Sequence, residues 1–565
     1  MSTETRAWWA SAVVYQIYPR SFADSDGDGI GDLGGIIARL DHLESLGVDV
    51  VWLSPVHRSP QADNGYDISD YCDIDPLFGT LEQLDELVAG LHARGMKLVM
   101  DLVVNHTSDE HPWFVESASS PDNPKRDWYV WRDAPDGALP NNWGSFFGGP
   151  AWTVHQATGQ AYLHLFHRKQ PDLNWENPEV RAAVHAMMRW WLDRGVDGFR
   201  MDVINFISKP DGLPDAPPVP GQEFVNAFDL FADGPRVHEH LAEMTREVFG
   251  GREGHFLTVG EMPGVTPERA RDYTDPARRE VDMVFQFEHV TVDQGPDDKF
   301  DYVGLDLPVL KRSLHRWQDA LADVGWNSLY WNNHDQPRVV SRFGDDDPAY
   351  WRASATALAT VLHGLRGTPY VYQGEELGMT NYPFAGAGEH RDTEAVNYWA
   401  EVVARGRDQE AALTGLAHIS RDNARTPVQW DASPHAGFTT GTPWLAVNPN
   451  HTWLNAAAQV DDPASVFAHY RRLIDLRHRL PILVEGDVTS IGLDHPVLWA
   501  YTRSTTDERM LVVANCGREP LALDLPDWHG ARLLLGNLPL NEPVLGPATS
   551  TLAGWEARIY LSPAP

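Results

Sequence analysis

An arginine two residues before an aspartate, at the end of a short apolar run, can do chemistry, and the stretch Gly198 to Asp202, GFRMD, holds such a pair. In an extended strand alternate side chains share a face, so Arg200 and Asp202 point one way while Phe199 and Met201 point the other. The guanidinium keeps the carboxylate ionised and fixes its direction, which suits a nucleophile. A structural ion pair has the same appearance, and these five residues alone leave both readings open. Two further carboxylates follow apolar runs, Glu261 in TVGEMPG and Asp335 in WNNHDQPR. Two carboxyl groups flanking a bond, one ionised and one protonated, are what cleavage of a glycosidic linkage requires. His106 in DLVVNH and His334 beside Asp335 can hydrogen-bond sugar hydroxyls as neutral imidazoles, although their spacing also permits a metal site.

These residues need a scaffold that gathers chain segments far apart in sequence. Short runs rich in Val, Ile and Tyr alternate with helical patterns: VVYQIY from Val13, apolar positions Ile36, Leu40 and Leu43, then VDVVWL from Val48. A helix near Leu81 to Arg94, a strand from Lys97 to Val104, a helix carrying Val180, Val184, Met187 and Trp191, and the GFRMD strand continue the rhythm. HFLTVG from His255, VDMVFQF from Val281, SLYW from Ser328 and PYVY from Pro369 read as later strands. The expected fold is α/β, a closed (β/α)8 TIM barrel whose chemistry lies at the C-terminal strand ends. Between Asn105 and Asn174 a Trp-, Pro- and Gly-rich stretch is too long for a plain connection and reads as a subdomain inserted after the third strand, walling the site. From about Leu483 short strands replace helices, and a C-terminal β-sandwich is expected. The division is barrel over 1–104 and 175–482, insertion over 105–174, and C-terminal domain over 483–565.

The loop DSDGDGIGD, Asp24 to Asp32, sets acidic residues at alternate positions. Against the EF-hand spacing, Asp24, Asp26 and Asp28 occupy ligand positions 1, 3 and 5, the Ile30 carbonyl position 7 and Asp32 position 9. Position 12 is Gly35, so the bidentate glutamate is missing; one structural Ca2+ ion is expected, with Mg2+ the alternative. Only Cys72 and Cys516 are present, which excludes a disulfide framework and zinc spacing. The formal charge of -35 repels nucleic acid and anionic membrane, and no stretch has the length of a membrane span or signal peptide. A cytoplasmic protein, with a monomer as the expected state, is the resulting picture.

DLVVNH, GFRMD, EMPG and NNHDQPR, in this order, resemble the four signature regions of the alpha-amylase family of glycoside hydrolases. GVDVVWLSP, QPDLN and GTPYVYQGEE extend the resemblance to the oligo-1,6-glucosidase branch and to nearly the whole chain. The resemblance implies a retaining alpha-glucosidase acting on small alpha-glucosides, with Asp202 as nucleophile, Glu261 as acid/base and Asp335 as a third carboxylate holding sugar hydroxyls. It implies that Arg200 and Asp101 support the nucleophile. The implied terminal glucose pocket comprises Asp63, Tyr66, His106, Phe147, Phe166, Gln170, His334 and Arg425, with core packing the plain alternative for the phenylalanines. An Asp63 to Arg425 ion pair is expected to close that pocket behind the non-reducing end, favouring release of single glucose units. Val203, next to the nucleophile, is the residue implied to favour α-1,6 over α-1,4 linkages. The Val303 to Lys311 stretch, VGLDLPVLK, looks like the hydrolase version of a loop that is arginine- and aspartate-rich in sucrose isomerases. The competing readings are an α-1,4-preferring or broad alpha-glucosidase with transglucosylation, or sucrose isomerase-type glucosyl transfer; a non-enzymatic transporter partner does not suit a chain that keeps all three carboxylates.

Overall fold

The computed structural model describes residues 7–296, 298–539 and 550–564; the first six residues of the stretch read above for a targeting signal lie outside them. Eight parallel strands form the central sheet: β1 Val14–Ile17, β2 Val50–Leu53, β3 Lys97–Leu102, β4 Gly198–Met201, β5 Leu257–Glu261, β6 Met283–Phe285, β7 Ser328–Tyr330 and β8 Thr368–Tyr372. They lie in the order β6-β5-β4-β3-β2-β1-β8-β7. A parallel bridge from Val284 to Asn327 and the Ser328 hydroxyl donating to the Val284 carbonyl at 2.6 Å close the ring. Helices follow the strands, among them Leu81–Ala93, Pro178–Asp193, Val237–Phe249, Leu307–Ala320, Trp351–His363 and Val466–Arg479. Local chemistry starts them where it should: Thr80 and Gln83 form a capping box, and Asn177 caps a helix with Pro178 at its first position.

Strand alternation sorts the side chains into two sets. Val14, Val50, Trp52, Val99, Leu257, Val259, Met283, Phe285, Tyr330 and Tyr370 pack together inside the barrel, while Tyr15, Val51, Met100, Phe199 and Met201 join the larger core under the helices. Asp101, Arg200, Asp202 and Glu261 share the inward parity of Val99, Gly198 and Val259. They therefore form a charged layer capping an apolar one at the C-terminal strand ends. The register makes this exact, since Arg200 pairs with Asp101 on β3 and with Val259 on β5. Gly198 lets β4 approach: a Cβ there would lie 2.1 Å from the Leu257 carbonyl oxygen.

The insertion carries a three-stranded antiparallel sheet, Trp131–Asp133, Gln160–Leu163 and Trp152–His155. At the C-terminus a five-stranded antiparallel sheet faces a two-stranded one, Leu521–Leu523 with Ser550–Leu552, over Leu511, Val513, Trp528 and Tyr560. The junction with the barrel sets Trp499, Tyr501, Val512 and Ile559 into the larger core and adds two buried cations. Lys311, on the Leu307–Ala320 helix, donates to the carbonyls of Gly492, His495 and Leu498 at 3.0, 2.7 and 2.7 Å. Arg503 donates to the carbonyls of Gly364, Leu483 and Gly486 at 2.7 to 3.0 Å, and both cations are buried. Among the described residues no helix is long and apolar enough to cross a membrane.

Candidate active site

At the mouth, one guanidinium holds three carboxylates. Arg200 Nη1 donates to Asp101 Oδ1 and Asp202 Oδ1, each at 2.7 Å, and its Nη2 lies 2.7 Å from Glu261 Oε2. The arginine is buried, and Trp52 lies beneath it with its ring centroid 5.1 Å from Cζ. Three acids share one cation here, so full ionisation of all three carries uncompensated charge in a dry site, at several kcal/mol per ion. Burial pushes the Asp202 carboxyl well above the usual range, opposed by Arg200 and reinforced by Glu261 and Asp101. Burial likewise pushes Asp101 up to about 6 against the pull of Arg200. Arg200 therefore does not by itself keep Asp202 ionised, as its spacing had suggested: burial and the two neighbouring acids work against it, and the three acids titrate as one group around a single cation.

Behind Asp101 runs a line of hydrogen bonds. Its Oδ2 accepts from Trp52 Nε1 at 3.2 Å and from the Tyr66 hydroxyl at 3.1 Å. The Tyr66 oxygen meets His334 Nε2 at 2.7 Å, and His334 Nδ1 meets Gln16 Nε2 at 2.8 Å. Burial pushes His334 down to about 3, so the imidazole is neutral, accepting from Gln16 and donating to Tyr66.

Asp335 stands apart from that cluster. Arg425 Nη2 donates to its Oδ1 at 2.5 Å and Arg421 Nη1 does so at 3.3 Å. Burial pushes its carboxyl up, but His334, Arg421 and Arg425 outweigh burial and hold it well below the usual range. With His334 neutral, the two arginines carry that effect.

The expected Asp63 to Arg425 ion pair does not form. Arg425 ends on Asp335 and on Asp392 Oδ1, the latter at 3.2 Å, because these two acids lie on its own side of the mouth. Asp63 instead accepts from Gln170 Nε2 at 3.0 Å, and burial pushes its carboxyl up to about 7. Gln170 also donates to the Tyr66 carbonyl, as does His106 Nε2 at 3.1 Å, so Asp63, Tyr66, His106 and Gln170 form one buried polar corner. Phe166 covers it with its ring 5.3 Å from His106, and Phe147 meets Phe166 edge-on at 6.0 Å.

Arg421 escaped the sequence reading. It is 2.6 Å from Asp392 and stacks under Phe147 with Cζ 5.4 Å from the ring centroid. The signal was in the RDNARTP motif itself, where Arg421 precedes Arg425 by four residues and one helical turn sets both on one side. Val203 is buried among Phe206, Trp143 and Val225, and its N–H donates to Glu261 Oε2 at 3.2 Å. Its φ of 35° is left-handed, a strained backbone for a β-branched residue, held there by the strand end and the turn Ile204–Phe206. In the Val303 to Lys311 stretch, Lys311 turns away from the mouth into the C-terminal domain, as described above.

Among the described residues, Asp24, Asp26 and Asp28 form the one group of three acidic or imidazole side chains close enough to hold a metal, with ligand atoms within 4.8 Å of one another. The two histidines at the mouth do not join such a group. Asp24 also accepts from the Gly27 and Gly29 amides, at 2.7 and 2.8 Å, which folds the loop tightly around it. The crowding has a cost: burial, and then the charges of Asp26, Asp24 and Asp32, push the Asp28 carboxyl up. A divalent ion would relieve that repulsion, so the donor set fits a hard cation. Asp32 serves otherwise. It caps the helix Leu33–Ile37 through the Gly35 amide at 2.6 Å and accepts from Ser25, so it lies outside the group. Ile30 packs against the barrel core while its N–H donates to Asp28 Oδ1 at 2.7 Å.

Residues 16–486 match the family model described as alpha amylase, catalytic domain. The chain belongs to the alpha-amylase family. Within it, the chain is 54% identical over 565 residues to an oligo-1,6-glucosidase of Halalkalibacterium halodurans, covering 99% of each. It is 48% identical to a trehalose-6-phosphate hydrolase of Bacillus subtilis, again over 99% of each. An isomaltulose synthase variant of Erwinia rhapontici, solved with sucrose, superposes with a TM-score of 0.95 at 42% identity, over 99% of this chain and 100% of that one. The family model spans the barrel and the inserted sheet, and the full-length relatives extend the likeness over the C-terminal sheet.

Proposed function

We propose that the protein is a retaining, exo-acting alpha-glucosidase that releases glucose from the non-reducing end of short alpha-glucosides and prefers α-1,6 linkages. The observation that carries the proposal is the grip of one guanidinium on both Asp202 and Glu261, which sets two carboxyl groups side by side. Retaining enzymes need their carboxyl groups about 5 to 5.5 Å apart, so that one attacks while the other protonates the leaving oxygen. Asp202 attacks the anomeric carbon and Glu261 donates its proton to the glycosidic oxygen. Glu261 then takes a proton from water, which attacks the covalent glucosyl intermediate and frees Asp202. Asp335, kept ionised by Arg421 and Arg425, accepts hydrogen bonds from sugar hydroxyls. The corner of Asp63, Tyr66, His106 and Gln170, with His334 behind Tyr66 and Phe166 and Phe147 above, receives the terminal glucose and ends the site there. Identity to oligo-1,6-glucosidases supports the linkage preference.

Incubation with isomaltose, maltose, sucrose and trehalose, with glucose and every new disaccharide quantified, tests this reading. Glucose should appear fastest from isomaltose. Faster release from maltose would overturn the linkage preference, and conversion of sucrose to another disaccharide would favour the isomerase reading that the likeness to isomaltulose synthase keeps in view. The Val203→Ala variant should narrow the isomaltose to maltose ratio, since one or two methyl groups near an acceptor shift selectivity by about 1 to 3 kcal/mol. An unchanged ratio would leave Val203 a packing residue.

Asp24, Asp26 and Asp28 are proposed to hold Ca2+ in a structural role, with the Ile30 carbonyl as a further oxygen and Asp32 fixing the loop to the helix that follows. Binding to the folded state alone stabilises by mass action. Added calcium should therefore raise the melting temperature in a concentration-dependent way and a chelator should lower it, with kcat unchanged at temperatures where both forms are folded. A melting temperature indifferent to both would count against the ion.

A further inference from the structure

Lys209 is a buried ammonium that the mechanism above does not use. It follows Asp202 past the turn Ile204–Phe206, and its side chain is only 7% exposed. Burying a cation is costly unless it is paired and hydrogen-bonded, and this one is both. Its Nζ lies 2.6 Å from Asp172 Oδ2 and donates to Asn105 Oδ1 at 2.8 Å. Burial lowers its pKa, and Asp172 opposes that pull.

The two partners mark the two ends of the insertion. Asn105 lies where the chain leaves β3 and Asp172 where it returns, and the ends are laced together: His106 and Asp172 form an antiparallel bridge, and Leu173 N–H donates to the Asn105 carbonyl at 2.9 Å. Lys209 ties this seam to the segment that carries the nucleophile.

The chemistry of the ion pair fixes the amide between its members. An ammonium only donates and a carboxylate only accepts. Asn105 must therefore turn Oδ1 to Lys209 and Nδ2 to Asp172 Oδ2, which lies 3.2 Å away. The same Nδ2 is 3.2 Å from His106 Nδ1. A neutral imidazole has one donor nitrogen and one acceptor, so a donor facing Nδ1 makes Nδ1 the acceptor and leaves the proton on Nε2. The ring is neutral near pH 7, because burial pushes His106 down to about 4 against Asp172 and the Tyr66 carbonyl, with the Lys209 charge assisting. Nε2 is the nitrogen in the buried corner, 3.1 Å from the Tyr66 carbonyl.

We infer that the Lys209 and Asp172 ion pair positions the sugar-binding histidine: by fixing the Asn105 amide it selects the His106 tautomer whose proton, on Nε2, faces the terminal glucose. The inference rests on the alpha-glucosidase reading above, in which this corner receives the sugar. Neither member of the pair touches the substrate; both act through Asn105.

Lys209→Met combined with Asp172→Asn tests it without leaving a buried charge unpaired, and neutral replacement of a buried ion pair is commonly tolerated. Asp172 Oδ1 accepts from the Leu165 N–H at 3.1 Å, so an amide at position 172 keeps its oxygen there and puts a donor where Oδ2 was. Asn105 must then reverse, presenting Oδ1 to His106 Nδ1, and the proton moves to Nδ1. In protein with isotope-labelled histidine, nitrogen NMR separates protonated from unprotonated ring nitrogens, and the signals lost in His106→Gln identify this ring. The wild type should show Nε2 protonated and the double variant Nδ1 protonated. A wild-type ring protonated on Nδ1, or a double variant still protonated on Nε2, would overturn the inference.

Kinetics supplies the second readout. The double variant should lose about five-fold in kcat/KM on isomaltose, as for one hydrogen bond, and the same pair of changes should cost nothing further in a His106→Ala background. Equal losses in both backgrounds would mean that the ion pair acts by holding the seam and not through His106. The NMR reading needs no substrate, so a wild type inactive on glucosides marks failure of the glucosidase reading, while the tautomer marks failure of this one.

Discussion

Asp202→Ala should lower kcat/KM on isomaltose by about a million-fold, the scale on which enzymes lose a nucleophile, while the folded protein survives intact. Survival is expected because Arg200 keeps Asp101 and Glu261 after the change, and one cation then balances two acids where it had balanced three. The melting temperature should therefore equal or exceed that of the wild type. Glu261→Gln is the companion variant. It should lose about a hundred- to ten-thousand-fold on isomaltose, where the leaving alcohol needs a proton. It should lose far less in the first step of an aryl glucoside whose phenolate leaves unaided. Equal losses on the two substrates would mean that Glu261 is not the proton donor, and an active Asp202→Ala would remove the mechanism altogether.

Arg200→Leu should damage both activity and stability. The guanidinium touches three buried acids, and removing one partner of a buried ion pair typically costs about 3 to 5 kcal/mol because charge is left without compensation. The pH dependence identifies the cause. Burial raises Asp101 to about 6 in the folded protein, above its unfolded value, so the stability linked to this group is fully present below the unfolded value and is lost as pH rises through about 6. Without Arg200 the folded value rises further, and the loss deepens at neutral pH. The stability gap between wild type and Arg200→Leu, measured by denaturant unfolding, should thus be widest near pH 7 and narrow as pH falls toward about 4, where the acids take up protons. A gap of constant size would assign the effect to lost packing on Trp52 instead.

The strands were legible because period-two alternation and strand-end motifs point to the same faces. Asp101, Arg200, Asp202 and Glu261 needed only parity and barrel closure to converge. What pairs with what across the mouth was not legible. An arginine in RDNARTP can satisfy any acid within reach, and only the folded chain reveals that Asp335 and Asp392 lie nearer to Arg425 than Asp63 does. Asp32 escaped for a related reason. An oxygen at alternate spacing serves equally as an ion ligand or as a helix cap, and the backbone after Gly31 decides for the cap. The left-handed conformation of Val203 was likewise invisible, since a β-branched residue is among the least expected there.

The cationic junction between barrel and C-terminal sheets bears on how such proteins can be recombined. Lys311 and Arg503 spend their hydrogen bonds on main-chain carbonyls, which every sequence possesses, and not on matched acidic side chains. At these two anchors compatibility is set by backbone path and by which part brings the cation, beside the apolar packing of Trp499, Tyr501, Val512 and Ile559 against the barrel. Lys311 comes from the barrel and Arg503 from the C-terminal part. A graft from a relative would have to preserve the carbonyl positions at Gly492, His495 and Leu498, supply its own arginine at position 503 and keep the apolar face that packs on the barrel.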